Sequence, residues 1–241
     1  MKKLTYLIGA CSEHIELKHL LNTLKTRDTD NTEIKLVLDK PTQQVKDIAF
    51  SYLNTSDIHF HEVNNDFSKH KNYMNAKCKG EFIFNIDADE YPNKYLHENI
   101  LDIIKENVDL IWIPRINVVN GITLQHLKAW NWQITLFDEL VRNEDRVQLG
   151  YGYVELLEHY HLILRKGGLN VEYKVPVINF PDIQGRIYKN NNRLHWSGKV
   201  HESIINAESQ IQLPSKFDMS LMHVKDINKQ VEQNKMYNSI K

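Results

Sequence analysis

Residues 82–92 read FIFNIDADEYP, an apolar run that ends in Asp87, Asp89 and Glu90 before Pro92. Residues two apart in an extended segment point to the same side, which would set Asp87 beside Asp89. Two carboxylates so placed repel unless protons or a cation neutralise them. A hard dication such as Mg²⁺ or Mn²⁺ does this well, because it prefers oxygen ligands and shares them with substrate phosphates. By itself an Asp-x-Asp pair is short and common, and a solvated acidic turn after a strand would look the same. The elements around it must decide.

Those elements alternate strand and helix. Leu4 to Ala10 reads as a strand, and Leu17, Leu20, Leu21 and Leu24 recur at helical spacing behind it. Ile34 to Leu38 is a second strand ending at Asp39. Pro41 and Thr42 suit a helix start, followed by Val45, Ile48, Ala49 and Tyr52 at helical spacing. Ile58 to Val63 alternates as a third strand. Ser68 can cap a helix through Cys78, with Gly80 just past its end. Glu81 to Ile86 is a fourth strand, and Leu96, Ile100, Ile103 and Ile104 mark another helix. This alternation predicts an α/β fold whose mostly parallel sheet is flanked by helices. Ligands on such sheets bind beyond the carboxyl ends of the strands, so Asp39, Asp66 and Asp87–Asp89 are expected on one rim.

The second half is less regular. Leu110 to Pro114, Val175 to Phe180 and Gly185 to Tyr188 read as strands, with Leu194 to Val200 pairing back after an Asn190–Asn192 turn. The stretch between Asn117 and Glu172 is rich in aromatics, and the tail from Asp226 reads as a polar helix. Thirty basic against thirty-one acidic residues give a net charge of -1, so no global field favours nucleic acid or an anionic membrane. Two distant cysteines, Cys11 and Cys78, argue against a disulfide framework and for a reducing cytoplasm. MKKLTYLIGACSEH imitates a leader peptide, but its apolar run is short, and it reads as the first buried strand. No stretch approaches the roughly 18 apolar residues of a membrane-spanning helix. A soluble, cytoplasmic protein is the expectation.

Several segments together resemble glycosyltransferase family 2 of the GT-A fold, in the branch of lipopolysaccharide core glucosyltransferases. They are GACSEH (9–14), LVLDK (36–40), NNDFSKHKNYMNAKCKGEFIFNIDADE (64–90), PDIQGRIYKNNNRLHWSGKVHESI (181–204) and HVKDINKQVEQNKMYN (223–238). The resemblance implies a UDP-sugar donor and Mn²⁺ or Mg²⁺. It implies that Asp39 contacts the base, Asp87 the ribose and Asp89 the metal, with His223 completing the metal or diphosphate site. Lys71 and Asn72 fall at the family's basic-Asn pair near the nucleotide. Ala10, Cys11, Glu13, Ala88 and Arg186 join the nucleotide-sugar contacts on the same footing. After strand two the family usually carries an acidic Gly-Ser run; DKPTQ stands here instead, so Asp39 alone carries that match. The resemblance further implies a nucleotide-sugar and metal half over residues 1–115. Residues 116–241 would form a smaller, mixed acceptor-binding half of the same domain, ending in the C-terminal helix.

The expected activity is inverting transfer from a UDP-sugar to an acceptor hydroxyl. The departing diphosphate gains charge that a dication stabilises, and the attacking hydroxyl loses a proton to a carboxylate. Glu202 in KVHES is the first candidate base and Asp182 in PDIQGR the second. An ion pair with a nearby Lys or Arg is the alternative for Glu202. The acceptor would be a saccharide such as lipopolysaccharide core; hydroxymethylcytosine in DNA, glycosylated by a bacteriophage enzyme, is an alternative. A noncatalytic nucleotide-sugar-binding module is the rival from another class. His159 and His161 have metal-compatible spacing but read as surface or satisfied polar groups. Cys11 and Cys78 read as small buried hydrophobes. Trp112, Trp130 and Trp132 suit either core packing or stacking on a sugar or base. Arg193, like Arg186, flanks an expected hairpin.

Overall fold

The computed structural model describes residues 2–26, 30–136, 161–166, 169–174 and 176–240. Its strands are β1 (Leu4–Ala10), β2 (Thr32–Leu38), β3 (Ile58–Phe60), β4 (Phe82–Asp87), β5 (Glu90–Pro92), β6 (Leu110–Asn120), β7 (Ile134–Leu136), β8 (His161–Lys166), β9 (Leu169–Lys174), β10 (Pro176–Lys189), β11 (His195–Ser197), β12 (Ser203–Ile205), β13 (Gln210–Gln212) and β14 (Leu221–Asp226). The helices are α1 (His14–Lys25), α2 (Gln43–Tyr52), α3 (Phe67–Asn75), α4 (Lys94–Ile103), α5 (Leu124–Trp130) and α6 (Ile227–Ile240).

The central sheet has the order β3-β2-β1-β4-β10-β6-β14-β5. Strands β3, β2, β1 and β4 run parallel, as do β6 and β14. Strand β10 lies antiparallel between β4 and β6, and β5 is antiparallel to β14. The mostly parallel α/β architecture expected from the sequence is therefore present.

Period-two alternation feeds both faces. Leu4, Tyr6 and Ile8 of β1 join Phe82, Phe84 and Ile86 of β4 in the larger core. There they meet Leu17, Leu20, Leu21 and Leu24 of α1, Val45 and Ala49 of α2, and Leu96 and Ile100 of α4. Each buried leucine contributes about 1.5–3 kcal/mol relative to an exposed one. The opposite face carries Leu7, Ile83, Leu110 and Tyr188 beneath Met74 of α3 and Trp196 of β11. A sheet covered on both faces leaves its strand ends as the place where polar groups can gather.

The helix starts follow capping chemistry. Thr42 caps α2, its side chain accepting from Val45 N at 3.3 Å. Asp66, not Ser68, caps α3, accepting from Lys69 N at 3.0 Å while Ser68 Oγ donates to the same carboxylate. A carboxylate answers both the orphan amides and the positive helix terminus, so it takes the cap and is lost to the ligand rim. Helix α3 also ends at Asn75, short of Cys78.

The second half departs from expectation in two places. The strands read at 175–180 and 185–188 are one strand, β10, with register irregularities at 178–182 and 185–187 against β6. Residues 195–197 do not pair back on it; β11 forms a separate ribbon with β12.

Gly80 is needed for close approach rather than for ending a helix. A Cβ there would lie 2.6 Å from Thr5 N and 2.7 Å from Leu4 C, both backbone atoms that cannot step aside. We expect Gly80→Ala to lower stability by about 1–3 kcal/mol through overpacking. The check is a shift in the urea midpoint with an unchanged m value.

Candidate active site

The register of four neighbouring strands builds two rows of polar side chains. Asp182 on β10 is opposite Arg115 on β6. Two residues along β6, Asn117 is opposite His223 on β14, which is in turn opposite Glu90 on β5. Positions 115 and 117 share a face of β6, so both rows open on the same side. They border a cleft of about 760 Å³ at the carboxyl ends of β1, β2 and β4. Gly9, Ala10, Cys11, Asp39, Asp87 and Asp89 line it from these strand ends, with Lys71, Glu202, His223 and Lys229 around them.

The three acids of the DADE segment take different partners. Strand β4 ends at Asp87, and Ala88–Asp89 form a turn instead of the expected extended stretch. Ala88 N donates to Gly9 O at 3.1 Å, and Val224 N donates to Asp89 O at 3.2 Å, which pins the turn between β1 and β14. Glu90 is fully buried and belongs to the scaffold. Its Oε1 accepts from Arg115 Nη1 at 2.8 Å and from Arg186 Nη2, and its Oε2 accepts from Asp87 N at 3.1 Å. Arg186 is only 4% exposed, so it does not reach out from a hairpin; its Nη2 also donates to Asp87 Oδ2 at 3.0 Å. Burial pushes the Asp87 carboxyl up, but Arg186 foremost, with Lys71, outweighs it and holds the group well below the usual carboxylate range.

Asp89 faces two groups from the C-terminal segment. Lys229 Nζ lies 3.2 Å from Asp89 Oδ2 and 2.8 Å from Glu13 Oε1, bridging the two carboxylates. The other oxygen of Glu13 accepts from Cys11 N at 2.7 Å and Ser12 N at 2.9 Å. His223 Nε2 stands 3.6 Å from Asp89 Oδ1. Burial, then Lys225 and Arg115, lower the His223 pKa, outweighing the opposite pull of Asp89. A neutral imidazole nitrogen and a carboxylate oxygen can ligate the same borderline or hard dication. Among the described residues no cluster of three His, Cys, Asp or Glu could hold a metal ion. A two-ligand site still fits Mg²⁺ or Mn²⁺, whose remaining positions are commonly filled by water and substrate phosphates.

The two candidate bases differ in freedom. Asp182 Oδ2 accepts from Arg115 Nε (2.9 Å), Arg115 Nη2 (2.6 Å) and Asn117 Nδ2 (2.9 Å), while Oδ1 accepts from Gln184 Nε2 (2.6 Å). Burial raises its pKa, but Arg115 and these hydrogen bonds lower it further, leaving a weakly basic carboxylate. Glu202 lines the cleft in an ion pair with Lys71 Nζ at 2.6 Å. Lys71 also lies 4.2 Å from the Trp196 ring centroid.

Asn72 does not line the cleft. Its Nδ2 donates to Trp196 O and its Oδ1 accepts from Trp196 N, both at 2.9 Å, so it fastens α3 to β11. That backbone pair engages both ends of the amide and holds it against β11. Asp39 lines the cleft and accepts from Val63 N at 3.3 Å. Cys11 borders the cleft, and burial with Glu13 and Asp39 raises its thiol pKa; Cys78 is pushed up to about 12 by burial. Both are free cysteines, half-buried rather than fully so. Arg193 pairs with Asp109 at 2.6 Å and Glu208 at 2.5 Å and takes no part in the cleft. Trp112 and Trp132 line the cleft, and Trp130 packs 4.8 Å from Trp132. His159 lies outside the described residues, as do the side-chain contacts of His161.

Sequence reasoning missed Arg115, Asn117, Lys225 and Lys229. The last was hidden in a tail read only as a polar helix. Its cleft-facing residues, Lys229, Gln230, Gln233, Asn234 and Tyr237, recur at i, i+1, i+4, i+5 and i+8. The helix is polar overall, so no apolar stripe marks the face it turns inward.

Residues 7–160, well over half of the chain, match the family model described as Glycosyl transferase family 2. Poly(ribitol-phosphate) beta-N-acetylglucosaminyltransferase TarS of Staphylococcus aureus (strain Mu50) is 25% identical over 126 residues, covering 50% of this chain and 22% of that protein. The crystal structure of S. aureus TarS 1–349 in complex with UDP-GlcNAc aligns with a TM-score of 0.53 at 17% identity, over 93% of this chain and 59% of that one. The crystal structure of S. aureus TarS gives 0.52 at 17% identity, over 92% and 36%. The chain thus spans about a fifth of the curated relative's length, and these structural likenesses bear on the fold alone. Among the described residues no helix is long and apolar enough to cross a membrane.

Removing one member of a buried ion cluster strands the others. Glu90→Gln leaves Arg115 and Arg186 facing each other without their shared counter-charge, at about 3–5 kcal/mol. We expect a correspondingly lower denaturation midpoint; urea unfolding with a stability within about 1 kcal/mol of wild type would contradict the role given to Glu90.

Proposed function

The chain belongs to glycosyl transferase family 2, and from that premise we propose that it transfers a sugar from a UDP-sugar to a hydroxyl of a saccharide acceptor, with inversion. The observation that carries this reading is the convergence of Asp39, Asp87, Asp89 and His223 on one cleft, beside the cationic side chains of Lys225 and Lys229. Carboxylates at strand ends suit base and ribose hydrogens, and cations beside them suit a diphosphate.

The roles follow from the contacts. Asp39 meets the base. Asp87, kept ionised by Arg186, accepts from the ribose hydroxyls. Asp89 and His223 would hold Mn²⁺ or Mg²⁺, which would supply Lewis-acid stabilisation of the departing diphosphate. Lys225 and Lys229 add fixed positive charge where the leaving group gains negative charge. Glu202 takes the proton of the acceptor hydroxyl as its oxygen bonds to the anomeric carbon, and the bond from that carbon to the diphosphate breaks, releasing UDP. Its ion pair with Lys71 Nζ holds the Glu202 carboxylate at the cleft wall.

Residues 1–115 serve the donor, completed by β14 and α6 returning from the C-terminal half. The rest of residues 116–241, with Trp132 at the cleft wall, shapes the acceptor side, joined there by Trp112 from the first half. Aromatic faces there favour a saccharide acceptor, of which a lipopolysaccharide core sugar is one. Two unpaired cysteines support a reducing compartment for the reaction.

The first test is thermal stability against a panel of nucleotides and nucleotide sugars, with and without Mn²⁺. A ligand bound only by the folded state raises the apparent Tm by mass action. We expect a UDP-type stabilisation that needs the metal, and its loss in Asp89→Ala. A shift of equal size in that variant would remove Asp89 from the metal site. Transfer to a saccharide acceptor is expected to fall by at least about 100-fold in Glu202→Gln, the scale of a lost general base, with donor binding unchanged. Wild-type transfer in that variant would exclude Glu202.

A further inference from the structure

Asn117 occupies an unusual position: one end of its amide is held by an anchored carboxylate and the other end meets a histidine of the cleft. Its Nδ2 donates to Asp182 Oδ2 at 2.9 Å. A carboxylate paired with Arg115 offers no hydrogen in return, so the amide orientation is set: nitrogen to Asp182, oxygen to His223. Asn117 Oδ1 lies 2.7 Å from His223 Nδ1. A carbonyl oxygen can only accept, so Nδ1 must carry the hydrogen. A nitrogen that ligates a cation carries no hydrogen, so Nε2 is the nitrogen left for that task, and it faces Asp89 Oδ1 at 3.6 Å. A lone pair and a carboxylate oxygen meeting without a hydrogen between them form a donor pair for a cation.

We propose that Asn117 is a positioning residue for the metal site. Anchored on Asp182, its amide holds His223 as the Nδ1–H tautomer and aims the bare Nε2 at the point it shares with Asp89. The inference rests on the metal reading above. It gives Asp182 a task other than proton transfer, as the fixed end of a chain from Arg115 through Asn117 to His223. The sheet supplies the alignment, since Asp182 is opposite Arg115, and Asn117 opposite His223, in the strand register. Groups that orient a metal-bound histidine through its second nitrogen fix both its tautomer and its ring plane.

The test uses the full chain and two readouts. In metal-free protein labelled with ¹⁵N-histidine, two-bond ¹H–¹⁵N correlations report the tautomer, with His223 assigned by its loss in His223→Gln. We expect a protonated Nδ1 and a bare Nε2 in wild type, and a shift toward the other tautomer in Asn117→Leu. Mn²⁺ binding in the presence of UDP, followed by electron paramagnetic resonance, is expected to weaken about 10- to 100-fold in Asn117→Leu. Asn117→Ala gives the same comparison should leucine disturb the fold. A protonated Nε2 in wild type overturns the proposal. Equal Mn²⁺ affinity in wild type and variant overturns it while leaving the metal reading in place. No Mn²⁺ binding to wild type overturns both.

Discussion

A carboxylate with no exposure to water must be paired, and Glu90 is paired twice, to Arg115 and to Arg186. The three residues come from β5, β6 and β10, so one buried charge cluster ties strands that are far apart in sequence. The cleft groups hang from it. Arg186 extends to Asp87, and Arg115 extends to Asp182, which steadies Asn117 and through it His223. Opposing charges in a low-dielectric interior hold geometry more rigidly than apolar contacts would, because any displacement leaves a charge uncompensated. The scaffold and the site are therefore one electrostatic structure.

The fold contributes register. Parallel β1, β2 and β4 bring Ala10, Asp39 and Asp87 to a common edge, as open α/β sheets do with their ligand-facing loops. The antiparallel strand β10 and the returning β14 then add groups from the second half of the chain. Asp89 thus faces His223 and Lys229, more than 130 residues later, across a turn pinned by backbone hydrogen bonds. No single segment could supply this mixture of carboxylate, imidazole and ammonium.

Much of this was legible in the sequence where local rules dominate. Strands β1, β2 and β4 and the apolar stripes of α1, α2 and α4 follow from periodicity, and Asp39, Asp87 and Asp89 follow from their places after strands. Local reading failed where a residue's partner comes from afar. Glu90 looks like one more carboxylate of the acidic run until Arg115 and Arg186 are beside it. Asn72 looks like a nucleotide contact until its amide is seen on the backbone of Trp196. Asp66 looks like one more acid of the rim, yet it is taken by the cap of α3. Spacing alone cannot rank Asp66 against Ser68, two residues apart, for that cap. Lys229 was invisible because a polar helix has no apolar stripe to reveal which face is turned inward.

Lys229 has a consequence for how the cleft fills. Its ammonium, fixed between Glu13 and Asp89, serves as a resident counter-ion. On the metal reading, a dication between Asp89 Oδ1 and His223 Nε2 would share that carboxylate with the ammonium on Oδ2, and a diphosphate arriving beside them would balance both positive charges.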